Sequence, residues 1–402
     1  MHPNKPKSSC SFFSRLTLLC LFCLTALSLN ATARTWTSAD GTKTFEGELS
    51  GYNAYTGMVT VLSGNRILTF KQNVLSAEDI EYLKATGSRS SSSSSGGAIV
   101  SGSLPDELPD PDGASANMSK PVQVFILMGQ SNMLGFGKLS GLRSACESGK
   151  YPYLLDASGN WNVRKDVRSV FFNNGSLNTN DWLAADNRRK NKFGPDIGIG
   201  NYLGHVIDAP VMILKSCVGN RALGWDLLPP SADGTGAKGQ SYQGDSEYGD
   251  RNVKSDRDGW YAGLQYDKDV GVAQDALEDL STYYPGAKEY EVAGFFWWQG
   301  CSEGKGSVEN YDKNLAFLFS DLKKDFNAPN AKFVCATLGE HDKNTTLSQK
   351  MFNFAEADAD AEVFYSKPVS TGGSCSHYGG NAETYMNVAE GMGKKMIELL
   401  SK

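Results

Sequence analysis

An apolar run, Val122–Met128, breaks without transition into Gly129-Gln130-Ser131-Asn132, and no other stretch constrains the fold as strongly. An uninterrupted β-branched and aliphatic run ended by a turn signal reads as a strand buried on both faces. Small and polar residues directly after it place Ser131 on the turn at the strand's carboxyl end, where open α/β sheets hold their chemistry. A helix beginning near Asn132 would add a dipole favouring negative charge on the serine oxygen. Alone, the four-residue motif equally fits an ordinary strand-to-helix turn.

From about Lys120 onward, strand-like and helix-like patterns alternate. Strands are expected at Val122–Met128, Pro210–Lys215, Val292–Trp298, Lys332–Thr337 and Glu362–Tyr365. Helices are expected at Ile197–Ile207, Leu264–Tyr283, Val308–Phe326 and Glu383–Leu400. That alternation implies an α/β domain over 120–402, with a five-stranded parallel sheet between two helical layers. Two polar stretches, Gly141–Pro195 and Pro230–Gly259, interrupt it and read as loops walling a site.

Ahead of this domain, Lys5, Lys7 and Arg15 lead into an uncharged run ending at Ala31-Thr32-Ala33, the pattern of a cleavable secretory signal over 1–33. The apolar core, Leu16 to Leu29, is short for a membrane span. Residues 34–86 read as a small β module, with strands at Thr44–Tyr52, Met58–Leu62 and Ile67–Lys71 and a short helix capped at Ser76 and running through Leu83. Residues 87–119, with the run Ser90–Ser95 and the Pro/Asp-rich Leu104–Gly113, read as a flexible linker. The formal net charge is −6 and becomes −9 once the three cations of 1–33 leave, which argues against nucleic acid or an anionic membrane as partner. Five cysteines remain: Cys146, Cys217, Cys301, Cys335 and Cys375. None forms a CxxC pair, so a structural zinc site is not expected, and with neither a phosphate-cradling loop nor a metal-ligand cluster in the sequence no cofactor is expected.

Several expected strands end in unusual clusters: Gly129–Met133, Ser216–Arg221 and Trp297–Gly300, with Ser376-His377-Tyr378 after the last. All should converge on the crevice beyond the strands' carboxyl ends. Acyl transfer needs a nucleophile, a base and donors for the oxyanion. Ser131 suits the first role. The backbone N–H groups of Ser131 and Gly219 and the side-chain amide of Gln299 suit the third. His2 leaves with the signal and His205 lies inside an expected helix. His377 is thus the best-placed base and His341 a minor candidate. Asn132, Asn220 and Arg221 on the same turns are candidate substrate contacts, as are Trp298 and Trp225, whose faces suit sugar rings. Only one of Trp297 and Trp298 can face the crevice, because neighbouring strand residues point oppositely.

GQSNM at Gly129–Met133, WWQG at Trp297–Gly300 and the late His377 resemble the SGNH-type hydrolases. Within them they resemble the sialate O-acetylesterase group, carbohydrate esterase family six. Cys217–Pro230 and Gly259–Asp269 resemble a bacterial subgroup. The resemblance implies a three-layer α/β/α fold and metal-independent removal of acetyl groups from sugars, with acetylated polysaccharide or sialylated glycan as partner. Ser131 would be nucleophile, His377 base, and Gly219 and Gln299 oxyanion donors. The 34–86 module resembles the small Src-homology-type barrels of the Sla-homology family, found on exported proteins, and implies an interaction or spacing role. Two departures stand out. Ser374 occupies the position where many SGNH members carry the acid, and Cys301 follows the QG where many family-six members carry Glu. By resemblance Glu303 is the first choice to orient His377. Cys301 and Cys375 are a possible bridge pinning the His377 loop. The rival readings are a carbohydrate-binding protein that has lost activity and an esterase of another substrate class.

Overall fold

The computed structural model describes residues 34–53, 58–64, 66–90, 108–109, 111, 113–187, 191–232, 261–303 and 305–402. The expected signal, most of the expected linker and most of the Pro230–Gly259 stretch lie outside these residues. The chain divides into two compact units, Met1–Ser94 and Ser95–Lys402.

In the first unit, β1 (Arg34–Thr37), β2 (Thr44–Asn53), β3 (Met58–Ser63) and β4 (Arg66–Lys71) form an antiparallel sheet in that order. Trp36, Val59, Val61, Leu75 and Leu83 make its core. Helix α1 (Ala77–Ser90) starts as expected. Asp79 N donates to Ser76 Oγ (3.2 Å) and Ser76 Oγ donates back to the Asp79 carboxylate (3.0 Å), a reciprocal cap. The helix continues to Ser90, past both the expected stop at Leu83 and the expected linker boundary.

The second unit contains β5 (Val122–Gly129), α2 (Ser131–Leu134), β6 (Gly137–Lys138), α3 (Leu139–Glu147), β7 (Arg164–Asn173), β8 (Ser176–Leu183) and β9 (Lys192–Phe193). These are followed by α4 (Asp196–Val206), β10 (Val211–Cys217), α5 (Leu264–Glu278), α6 (Leu280–Tyr283), β11 (Tyr290–Trp298) and α7 (Lys305–Val308). The chain closes with α8 (Tyr311–Asp325), β12 (Lys332–Ala336), α9 (Thr346–Ala357), β13 (Ala361–Phe364) and α10 (Ala382–Leu400). The main sheet runs β13-β12-β11-β5-β10-β7-β8. Every neighbouring pair is parallel except β7 and β8. All five expected strands are present, but the sheet has seven. The β7–β8 hairpin arises inside Gly141–Pro195, which the sequence reading took for a loop. Its turn, with Asn174 and Gly175 both at positive φ, is the conformation an Asn-Gly hairpin requires.

Strand β5 is buried along its whole length. Phe125 and Leu127 join the core formed with α4 and α10, while Val124, Ile126 and Met128 join the core formed with α5, α8 and α9. Helices therefore cover both faces. From β5 the chain first builds β7, β8 and β10 on one side, then crosses to β11, β12 and β13 on the other. β5 is the topological switch point, and the crevice at its carboxyl end is where such sheets bind ligands.

Candidate active site

The turn after β5 is shaped by close backbone approach. Gly129 has φ +141°, and a Cβ there would stand 2.6 Å from the Trp298 carbonyl oxygen, so a side chain does not fit. Ser131 opens α2, a single turn, and is 8% exposed. Gly219, just past β10, lies against it. A Cβ built at Gly219 meets Ser131 Cβ at 3.6 Å. Neither the Ser131 nor the Gly219 N–H has an acceptor among the described residues. The α2 turn also packs on the Ser374–Gly380 turn that carries His377. Ser131, Gly219 and the His377 segment are thus brought together.

His377 and Tyr378 both have φ +54°. Consecutive non-glycine residues in the left-handed region cost about 1–3 kcal/mol each and persist only when surroundings fix them. The surroundings here are explicit. Glu340, in the loop after β12, accepts from Ser374 N (2.9 Å) and Ser374 Oγ (2.6 Å). Tyr378 OH accepts from Gly339 N (3.1 Å). Cys375 is in a disulfide with Cys301, their Cα atoms 5.5 Å apart, which is the bridge the sequence suggested. Among the described residues the other cysteines, Cys146, Cys217 and Cys335, are buried and outside any disulfide. The His377 ring stacks on Phe136, centroids 4.0 Å apart and planes within 8°. Burial, and then the Lys192 ammonium, hold its pKa below the ordinary histidine range. His341 lies in the Glu340 loop with a buried Nδ1 that has no hydrogen bond among the described residues.

Cutting the staple gives a direct expectation. Chain entropy assigns about 4 kcal/mol to a bridge spanning 74 residues. Because Cys375 lies two residues from His377, misplacement of the ring should also lower kcat by about 10–100-fold. Cys301→Ser with Cys375→Ser, compared with the parent by ester hydrolysis and thermal melting, checks both.

Two expected roles are altered by the geometry. Glu303 is not joined to His377. Its Oε1 accepts from Leu223 N and from Gln299 Nε2 (2.7 Å), and its Oε2 from Gly224 N (3.4 Å). Burial raises its pKa, and its hydrogen bonds partly offset that rise. Gln299 spends both amide protons on Arg221 O (2.9 Å) and Glu303, and its oxygen accepts from Tyr311 OH (2.7 Å). It therefore braces the Arg221–Gly224 loop and has no donor left for an oxyanion. Gln130, with its amide turned to suit its neighbours, adds to this brace by donating to Arg221 O and Ser302 Oγ and accepting from Cys301 N.

The expected substrate contacts divide. Asn220 is exposed and Arg221 partly so, both on the loop beside Gly219. Asn132 is fully buried, within reach of Tyr385 OH (3.4 Å). Trp298 is also fully buried, stacked on Tyr378, and Trp225 is 3% exposed in a small separate cluster. Burial takes these three away from any ligand. Trp297 is likewise buried, so neither member of the pair faces the crevice; they pack into the cores on opposite faces of the sheet. Among the described residues, no three His, Cys, Asp or Glu side chains are arranged to hold a metal ion.

Sequence reading missed a carboxyl group beneath this loop. Asp269, on α5, accepts from Ser216 Oγ (3.2 Å) and Gln265 Nε2 (2.9 Å), while Arg221 Nε donates to Gln265 Oε1 (3.2 Å). Burial pushes its pKa from 3.8 up to about 7. Between those two values the folded protein binds more protons than the unfolded chain, so stability conferred by the protonated acid is lost as pH rises from about 4 to about 7. Asp269→Asn should remove that decline and be the more stable protein above pH 7. Urea midpoints measured across pH check this, and an unchanged slope contradicts it.

Residues 258–398 match the family model described as carbohydrate esterase, sialic acid-specific acetylesterase. That segment contains Gln299, Glu303 and His377, and it supports a carbohydrate esterase. A search of curated proteins gives no match. Among solved structures, a protein from Arabidopsis thaliana is similar at 12% identity and TM-score 0.42, covering 69% of this chain and 99% of that one. A carbohydrate acetylesterase from Xanthomonas citri is similar at 12% identity and TM-score 0.42, covering 90% and 69%. NanS is similar at 14% identity and TM-score 0.35, covering 64% and 79%.

Proposed function

We propose that this chain is an exported carbohydrate O-acetylesterase working through a Ser131–His377 dyad. The observation that carries the reading is the meeting of Ser131, Gly219 and the His377 turn at the carboxyl end of the switch-point strand. Ser131 Oγ attacks the acetyl carbonyl while His377 takes its proton. The oxyanion is held by the N–H groups of Ser131 and Gly219. Collapse expels the sugar oxygen, which takes the proton back from His377. Water, deprotonated by His377, then attacks the acetyl-serine; the acyl–oxygen bond breaks, Ser131 Oγ takes that proton back from His377, and acetate leaves. Gln299 and Glu303 act one step removed, fixing the loop that carries Gly219, and Asn220 and Arg221 meet the substrate. Residues 1–33 direct export, and the 34–86 module, a small Src-homology-type barrel, engages another protein or a cell-surface component.

The absence of any carboxylate bonded to His377 among the described residues favours one alternative: a site that binds acetylated glycans without turnover. Acetate release from O-acetylated sialosides and polysaccharides, compared with hydrolysis of synthetic esters of increasing chain length, separates the readings. Preference for acetylated sugars is expected. Glycan binding without acetate release supports the alternative, and preference for long acyl chains points to another esterase class.

A further inference from the structure

Among the described residues His377 has no acid partner, yet its ring is held. Phe136 immediately precedes β6 and Lys192 opens β9, and the two strands pair antiparallel with Lys138 opposite Lys192. The ribbon is tight at this point, since a Cβ at Gly137 would stand 2.6 Å from the Phe193 ring. The ribbon thus fixes Phe136 and Lys192 together. His377 stacks on the Phe136 ring at 4.0 Å, and Lys192 Nζ lies 4.1 Å from the same centroid. A stacked ring and an ammonium at such distances exclude each other from one face, so they take opposite faces.

We propose that, with no acid on it among the described residues, His377 is held by its neighbours: Phe136 positions the imidazole by stacking, and Lys192 on that ring's far face keeps the imidazole neutral. The inference rests on the esterase reading above and concerns the same site. An aromatic face carries negative quadrupole density and attracts cations. Bare Phe136 would therefore favour the imidazolium. With an ammonium already drawing on the ring, a second positive charge stacked opposite is repelled, and the neutral imidazole is preferred. Neutral imidazole is the form a general base needs. A carboxylate normally selects the ring's orientation and stabilises the imidazolium; here a stack supplies orientation alone. The direction of the His377 shift, from burial and then Lys192, agrees with this arrangement.

The other charged groups on elements packed around His377 do not replace an acid. Lys138 lays its aliphatic stem on Gly380 and adds positive charge. Glu340 engages Ser374 with both oxygens, and Glu303 is bound to the Leu223–Gly224 loop and Gln299. Phe136 and Lys192 are positioning residues; neither is assigned contact with substrate.

The test is an NMR titration of the histidine ring protons in the full chain at low ionic strength, where an exposed lysine acts most strongly. With only four histidines, the His377 signal is assigned by its loss in His377→Asn. Lys192→Gln should raise the His377 midpoint and move the acid limb of kcat/KM for a small acetyl ester in step with it. Phe136→Leu should lower kcat about tenfold or more while KM stays within about twofold, and Phe136→Tyr should restore it. An unmoved midpoint in Lys192→Gln, or full kcat in Phe136→Leu, overturns the proposal. The exposed Lys192 can be changed without disturbing the core, so this arm decides even where Phe136→Leu fails to fold. Absence of acetate release at every pH would instead overturn the esterase reading, while the titration still decides the role of Lys192.

Discussion

Ser131→Ala is expected to lower kcat for acetate release by about 10⁴–10⁶-fold, and His377→Ala by a similar factor, with the double variant scarcely worse than either. The reason for non-additivity lies in the proposed mechanism. There Ser131 and His377 share one proton transfer, so removing either abolishes the step. Residual rate should come from the Ser131 and Gly219 N–H groups, which polarise the carbonyl whether or not a nucleophile is present. Steady-state rates of the three variants on one acetylated substrate check this. A double variant slowed by the full product of the single losses would mean the two residues act independently, which would contradict the proposed dyad.

Lys215→Met is expected to cost about 3–5 kcal/mol of stability. Lys215 lies on β10 at 1% side-chain exposure, paired with Asp196 at the start of α4. Its Nζ also reaches the Leu134 carbonyl oxygen (3.5 Å) and lies 4.6 Å from the Phe171 ring centroid. Removing the lysine leaves a buried carboxylate without its cation. Replacing both partners, Lys215→Met with Asp196→Leu, should recover most of the loss, because desolvation of two charges offsets much of what their attraction contributes. Leu134 is the last residue of the Ser131 turn, so the single variant should lose activity even where it remains folded. Urea denaturation with parallel rate measurements tests both parts, and a single variant as stable as its parent would contradict them.

The central strands were legible because they are buried on both faces and read as largely apolar runs, as β5, β10 and β11 do. β8 was not, because SLNTNDWL is an edge strand with a solvent-facing side, and β7 opens on charged residues. The Asn174-Gly175 turn between them carried the missing signal. Within the site, Ser131, Gly219 and His377 follow from their places at strand ends. The surroundings of His377 could not, since Phe136 and Lys192 reach its ring, and Glu340 its loop at Ser374, only through the packing of separate loops. Glu303 and Gln299 show the opposite limit. Their chemistry suited catalysis, but burial and neighbouring backbone N–H groups commit them to bracing a loop. Trp298 and Trp225 suited sugar stacking by type, and the core claimed them.

The reading that joins these observations is acyl transfer through Ser131, and one measurement addresses it most directly. The full chain is mixed with an acetylated sugar, quenched in acid during turnover and digested, and the peptides are weighed. One acetyl group on the peptide containing Ser131, absent in Ser131→Ala, is the predicted result. Acetate released with no acetyl on that peptide, or acetyl carried on another residue, would contradict the account.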